Sequence, residues 1–309
     1  MEGPGKAMRE EVRAMGPRGQ DLIDQLCDAG NKRIGEMDAA GIDVQVLSLT
    51  APGVEQLEPD AAVALAREAN DFLGDAVRRY PQRLGGFAAL PTGRPSAAVA
   101  ELERTVRDYG FKGAVINGHQ RGRYLDDKFF WPVLECAEAL QVPVYLHPTR
   151  PPQPIAEVYY GGFSPIVTNM LGMAAWGWHV ETAVHIIRMI VGGVFDRYPK
   201  LQLIIGHMGE TLPFMAQRLD HVLRPEITKL ARPFGSYLRE NIHYTFSGFN
   251  YTQTFLNLLL EVGVDRIMFS ADHPYASMKE ARAFIDGLPV SDADRQRIAH
   301  GNAERLMRL

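Results

Sequence analysis

Short apolar runs recur along the chain, separated by longer stretches whose apolar positions fall at helical spacing. The runs lie at 44–49 (VQVLSL), 85–90 (GGFAAL), 113–117 (GAVIN), 142–147 (VPVYLH), 201–207 (LQLIIGH), 242–246 (IHYTF) and 266–272 (RIMFSAD). Most are near-continuous and rich in Val, Ile and Phe, which predicts parallel strands covered on both faces. Amphipathic helix patterns fill the gaps at 22–41, 59–81, 95–110, 130–141 and 179–199, with Gly41 as the C-cap of the first.

Strand–helix alternation of this kind predicts an α/β fold. A (β/α)8 TIM-type barrel is favoured over a doubly wound sheet, because polar candidates sit at the C-terminal ends of several strands. Only seven runs are found, so the barrel is predicted to lack its first strand in this chain. A single domain over 1–309 is expected, with an irregular segment at 1–20. Neither GxGxxG nor GxxxxGK[ST] follows any run, which argues against a nucleotide cofactor.

Composition narrows the function without naming it. The chain has 309 residues, is 46% hydrophobic and carries a net charge of −4 with no Lys/Arg block, so it presents no footprint for nucleic acid. No apolar run approaches the roughly 18 residues of a membrane span. Cys27 and Cys136 form no CxxC, and the first 20 residues contain no apolar signal core. Both point to reduced thiols in a cytoplasmic protein.

Nine histidines are present, and the informative ones close strands. His147 ends the fourth run, His207 the fifth, and Asp272 the seventh, followed by His273 and Pro274. Strand ends of a barrel converge on one rim, where imidazole and carboxylate together suit Zn or Mn. The other histidines carry less weight. His179 and His185 are six apart on a predicted helix and share no face. His119 reads as a solvated loop residue, His221 and His300 as surface or supporting groups, and His243 as facing the structural end. Trp176, Trp178, Phe249 and Tyr275 are candidate walls of an aromatic pocket or simply core.

The ordered set YLHP (145–148), GHMGE (206–210) and FSADHPY (269–275) resembles the amidohydrolase superfamily. The nearest branch is that of aromatic-acid decarboxylases such as gamma-resorcylate, 2,3-dihydroxybenzoate and aminocarboxymuconate semialdehyde decarboxylases. MDAAGIDVQVLSLTAPGV (37–54), FAALP (87–91), ETAVH (181–185) and GNAERL (301–306) extend the likeness from about Leu22 to the end. The resemblance implies that His147 and Asp272 are metal ligands for one divalent ion, Zn or Mn. It implies that His207 is an acid/base or substrate-orienting residue and that Glu210 sets its tautomer. Arg218 matches an arginine that in relatives reaches a carboxylate, sometimes in a neighbouring subunit, so a homodimer or homotetramer is expected. His273 and Tyr275 are further substrate-binding candidates.

The family also draws ligands from an ExH or HxH on its first strand, and neither pattern occurs in the 309 residues. A start at an internal methionine, with the strand upstream, is favoured over a genuine loss. The function expected of the complete site is metal-dependent, non-oxidative decarboxylation of a hydroxy-aromatic or related unsaturated acid. The alternatives are metal-dependent hydrolysis of a lactone, ester or amide, and a metal-free, inactive barrel.

Overall fold

The computed structural model describes residues 16–309. Its strands are β1 (Gln45–Leu47), β2 (Leu84–Ala89), β3 (Gly113–Asn117), β4 (Val144–His147), β5 (Leu203–Ile205), β6 (Ile242–Thr245) and β7 (Ile267–Met268), each overlapping a predicted run. They pair in chain order and every pairing is parallel. Parallel neighbours require a crossover, and the intervening helices supply it.

The sheet is curled. Gln45 Nε2 lies 2.9 Å from the Met278 sulfur, and Thr50 Oγ1 lies 2.9 Å from the Tyr275 hydroxyl, so side chains from the β1 side reach those beyond β7. Among the described residues no strand pairing joins β1 to β7. The predicted absence of a first strand concerns the chain before β1, of which residues 1–15 lie outside the described residues. The irregular segment predicted for 1–20 is corrected at its end, since Pro17–Cys27 is helical.

Inside the curl, Val46, Phe87, Val115, Tyr145, Ile204 and Met268 form one layer, packed against Ala303, Leu306 and Met307. The last helix, Asn302–Met307, sits at the strands' N-terminal ends: Asn302 Nδ2 donates to the Ile267 carbonyl at 2.8 Å, and Lys112 Nζ to that of Arg308 at 2.9 Å. That end is plugged with apolar side chains, which leaves the C-terminal mouth for chemistry.

Two helix patterns break where local chemistry interrupts them. The 22–41 pattern splits into Pro17–Cys27 and Asn31–Ala40, because the Asp28 carboxylate accepts from the Gly30 amide at 3.2 Å and the Arg33 amide at 2.5 Å. An Asp that satisfies the free amides of a helix start favours a new start over continuation. Gly41 caps the second piece at φ 68°, as predicted. The 179–199 pattern divides at Gly193, whose φ of 76° leaves the helical region. Among the described residues no helix is long and apolar enough to cross a membrane.

Candidate functional site

Strand register brings the predicted chemistry together. Asn117 at the end of β3 pairs with His147 at the end of β4, and Leu146 pairs with Ile205, the last residue of β5. His207 follows two residues later, and its ring centroid lies 6.3 Å from that of His147. Asp272 lies beyond β7, close enough to His207 and Glu210 for its ionisation to respond to both.

Glu210 is fully buried and divides its two oxygens between two histidines. Oε1 lies 2.6 Å from His207 Nδ1, and Oε2 lies 2.5 Å from His179 Nδ1. Burial alone would raise the Glu210 carboxyl, but the His207 charge and the hydrogen bonds from both imidazoles hold it well below its ordinary value. For His207, burial is outweighed by the Glu210 charge and hydrogen bond, so its pKa is raised. His207 is boxed by aromatic rings, with centroids at 4.8 Å (His179), 5.4 Å (Phe249) and 6.3 Å (Trp178). Its Nε2 has no hydrogen-bond partner among the described residues.

His147 and Asp272 differ from this closed group. His147 Nδ1 is turned to the carbonyl of Pro148 at 2.8 Å, and Nε2 has no partner among the described residues. The Asp272 carboxylate makes no hydrogen bond with any described residue and is only partly buried. Burial and the Glu210 charge push Asp272 up to about 6 against the opposing pull of His207, while burial and the His207 charge push His147 down to about 4. A neutral imidazole with an open nitrogen and a carboxylate without donors together suit a divalent cation.

His179, His207 and Glu210 also bring possible ligand atoms within 4.8 Å of one another. Tetrahedral ligands at about 2.0–2.1 Å from a zinc ion stand roughly 3.3 Å apart. The 2.5 and 2.6 Å separations here are those of hydrogen bonds, so this group is a proton-linked brace.

His179 is the principal correction to the sequence reading. It occupies the first turn of helix Gly177–Val191, where no partner is called for by spacing with His185. His185 instead accepts from the Leu125 amide at 2.9 Å, away from Glu210. His119, predicted to be solvated, is buried, with Nδ1 accepting from the Gly122 amide at 3.0 Å and Nε2 facing the Arg150 carbonyl at 3.1 Å. Nothing in the sequence marks His179 beyond its neighbour Trp178, which is no motif.

Glu55 was also missed. It follows β1, is 1% exposed, and accepts from the Asn117 amide at 2.7 Å through Oε1, while Oε2 has no partner among the described residues. Gly53 makes room for it: at φ 64°, a Cβ there would stand 2.2 Å from Glu55 Oε2. Burial pushes the Glu55 carboxyl up to about 7 against the pull of its hydrogen bonds.

The remaining candidates are placed less centrally. Arg218 is exposed on helix Leu212–Val222 and forms no ion pair with the described residues. His273 turns its Nε2 to within 3.3 Å of Glu36 Oε2. Tyr275 is 47% exposed and hydrogen-bonded to Thr50, and Trp176 is 51% exposed, so neither is core. A cavity of about 440 Å³ opens between helices Gln153–Tyr160 and Pro165–Gly172, but His147, His207 and Asp272 do not line it.

Residues 25–309 match the amidohydrolase family. The chain is 39% identical over 300 residues to gamma-resorcylate decarboxylase of Polaromonas sp. JS666, covering 94% of this chain and 90% of that protein. A crystal structure of dihydroxybenzoic acid decarboxylase from the same organism, with bound manganese and the inhibitor 2-nitroresorcinol, superposes with a TM-score of 0.90 at 38% identity. It covers 97% of this chain and 92% of that one. A 2,6-dihydroxybenzoate decarboxylase complexed with 2,6-dihydroxybenzoate gives a TM-score of 0.88 at 38% identity, covering 97% and 96%.

Proposed function

The chain belongs to the amidohydrolase family, and from that premise we propose that it is a metal-dependent, non-oxidative decarboxylase of a hydroxy-aromatic carboxylic acid. The observation that carries the reading is the open mouth formed by His147, His207 and Asp272, in a chain similar along nearly its whole length to decarboxylases of dihydroxybenzoates. 2,6-Dihydroxybenzoate is the first substrate to test.

His147 Nε2 and the Asp272 carboxylate are the groups that would hold a divalent ion, with manganese favoured by the relative that contains it. Such an ion supplies charge that binds a carboxylate with its adjacent hydroxyl and stabilises developing negative charge. The protein's own part is acid–base chemistry and orientation. Asp272, carrying a proton, delivers it to the ring carbon that bears the carboxylate. The carbon–carbon bond then breaks, its electron pair restores the aromatic ring, and CO2 leaves. His207 holds the substrate hydroxyl through its open Nε2, and Glu210 fixes the ring by engaging Nδ1. Phe249 and Trp178, packed around His207, keep water from that face.

Arg218 is assigned to substrate carboxylate binding in the site of a second copy, which is why a homo-oligomer is part of the reading. His273 and Tyr275 are secondary contacts at the rim. Free Cys27, exposed, and free Cys136 accord with a reducing, cytoplasmic setting.

The test is CO2 release from a panel of hydroxybenzoates by the manganese-loaded protein, run beside lactone and ester turnover. Resorcinol and CO2 from 2,6-dihydroxybenzoate are expected. Ester or lactone hydrolysis without CO2 from any hydroxybenzoate defeats the reading in favour of a hydrolase.

A further inference from the structure

The turn that carries His207 is held in an unfavourable backbone conformation. His207, Met208, Gly209, Glu210 and Thr211 have φ values of 47°, 56°, 93°, 54° and 70°, five consecutive residues on the left-handed side. Four of them carry a Cβ, which crowds the following carbonyl in the left-handed region and disfavours it. A run of this kind persists only where its surroundings over-determine it. Within the turn, the Gly209 amide donates to the Gly206 carbonyl at 2.8 Å, and Glu210 returns to His207 at 2.6 Å. Both contacts are local and would survive a movement of the turn as a unit.

Met208 packs the turn into the core, and the one hydrogen bond that reaches it from elsewhere among the described residues is the one from His179. Its Nδ1 lies 2.5 Å from Glu210 Oε2 in a buried setting. At its other end Nε2 lies 2.9 Å from the Ala174 carbonyl and 3.1 Å from Trp178 Nε1, so it donates to the first when protonated or accepts from the second when not, and either bond holds the ring. The ring is therefore a rigid strut between the start of helix Gly177–Val191 and the strained turn. A carboxylate with one oxygen free could rotate or take water. With both oxygens engaged, it presents Oε1 to His207 in one orientation.

We infer that His179 is a positioning residue for His207: acting through Glu210, it fixes the strained 207–211 turn so that His207 Nε2 faces the mouth between His147 and Asp272. This deepens the reading of the site given above and rests on it for the word catalysis, although the strut itself is a statement about geometry. The sequence offers an unusual economy here, in which one carboxylate sets the rings of two histidines 28 positions apart, one of them outside every strand-end motif.

The experiment compares His179→Ala with His179→Asn in the full chain. Asn places an amide N–H near the position of Nδ1 and can keep the bond to Glu210. The first readout needs no substrate: the downfield ring N–H proton of His207, assigned by its loss in His207→Gln, is followed by NMR. It is expected in the wild type, lost or displaced in His179→Ala, and kept in His179→Asn. The second readout is turnover of 2,6-dihydroxybenzoate, where kcat is expected to fall about 10–100-fold in His179→Ala with KM little changed, and to recover largely in His179→Asn. Retention of the His207 resonance in His179→Ala overturns the inference whatever turnover does, and so does equal loss of it in both variants. If the wild type releases CO2 from no hydroxybenzoate while the resonance still depends on His179, the decarboxylase reading fails and the positioning role stands.

Discussion

Glu210 Oε1 lies 2.6 Å from His207 Nδ1, and the two side chains shift each other in opposite directions. The carboxylate is held below its ordinary 4.5 despite burial, and the imidazole is raised above 6.5 by the same partner. A depressed carboxyl stabilises the fold above its unfolded pKa and loses that contribution as pH falls through the folded value. A raised imidazole contributes fully below its unfolded pKa and loses its share as pH rises through its folded value. The pair therefore strengthens the fold most between these limits. Glu210→Gln is expected to cost stability at neutral pH and progressively less as pH drops below 4.5. Its kcat should fall about 10–100-fold, the usual loss when a group that orients an active-site imidazole is removed. Denaturant titrations at several pH values check the first claim, and a stability gap that is the same at all of them contradicts it.

The separation of roles between the open and the braced groups gives a second prediction. His147→Ala and Asp272→Asn each remove an atom that has no partner among the described residues, so they should weaken manganese binding by at least about tenfold, the loss typical of disturbing even an outer contact. His207→Gln should leave the bound metal in place and abolish turnover, because its Nδ1 is committed to Glu210. Elemental analysis after dialysis reads all three. Stoichiometric metal in Asp272→Asn together with its loss in His207→Gln would falsify the assignment and make His207 a ligand.

The contrast between His147 and His179 shows what was legible in the sequence. His147, His207 and Asp272 each close a near-continuous apolar run, and in a parallel sheet the run's end fixes which rim the residue occupies. The seven strands were readable for the same reason. His179 sits on a helix, and its place at Glu210 depends on how the start of that helix docks across the mouth, which no period encodes. Glu55 was hidden in a similar way, since its burial depends on Asn117, 62 residues further on. The split at Asp28 was missed because one carboxylate overrode an otherwise continuous helical pattern.

Glu55 gives a third prediction, with the opposite sign to Glu210. Its carboxyl is raised from 4.5 to about 7, so the fold prefers the protonated form. Stability relative to a neutral isostere is unaffected below the unfolded pKa of 4.5 and declines as pH rises towards about 7. A shift of this size corresponds to about 3 kcal/mol at full ionisation. Glu55→Gln, which keeps the acceptor for the Asn117 amide, is expected to match the wild type at pH near 4 and to exceed it above pH 7. Urea unfolding at both ends of that range is the measurement. A difference that does not grow with pH would show that the carboxyl ionises freely.

Thr211 supplies the last prediction, from the same left-handed run as His207. It is a β-branched residue at φ 70°, a region where branched side chains are genuine outliers. It is exposed, stands at the N-cap of helix Leu212–Val222, and its side chain makes no capping hydrogen bond. Replacing Thr by Gly at a cap whose side chain accepts no hydrogen bond costs only about a few tenths of a kcal/mol. Relief of the backbone strain should outweigh both that and the added chain entropy of glycine, so Thr211→Gly is expected to stabilise the protein by about 0.5–1 kcal/mol. Because His179 holds the turn through Glu210 and not through Thr211, turnover in this variant should stay close to that of the wild type. Thermal unfolding and a single kcat determination test both halves, and a destabilised variant would mean that the left-handed conformation at 211 is imposed without strain.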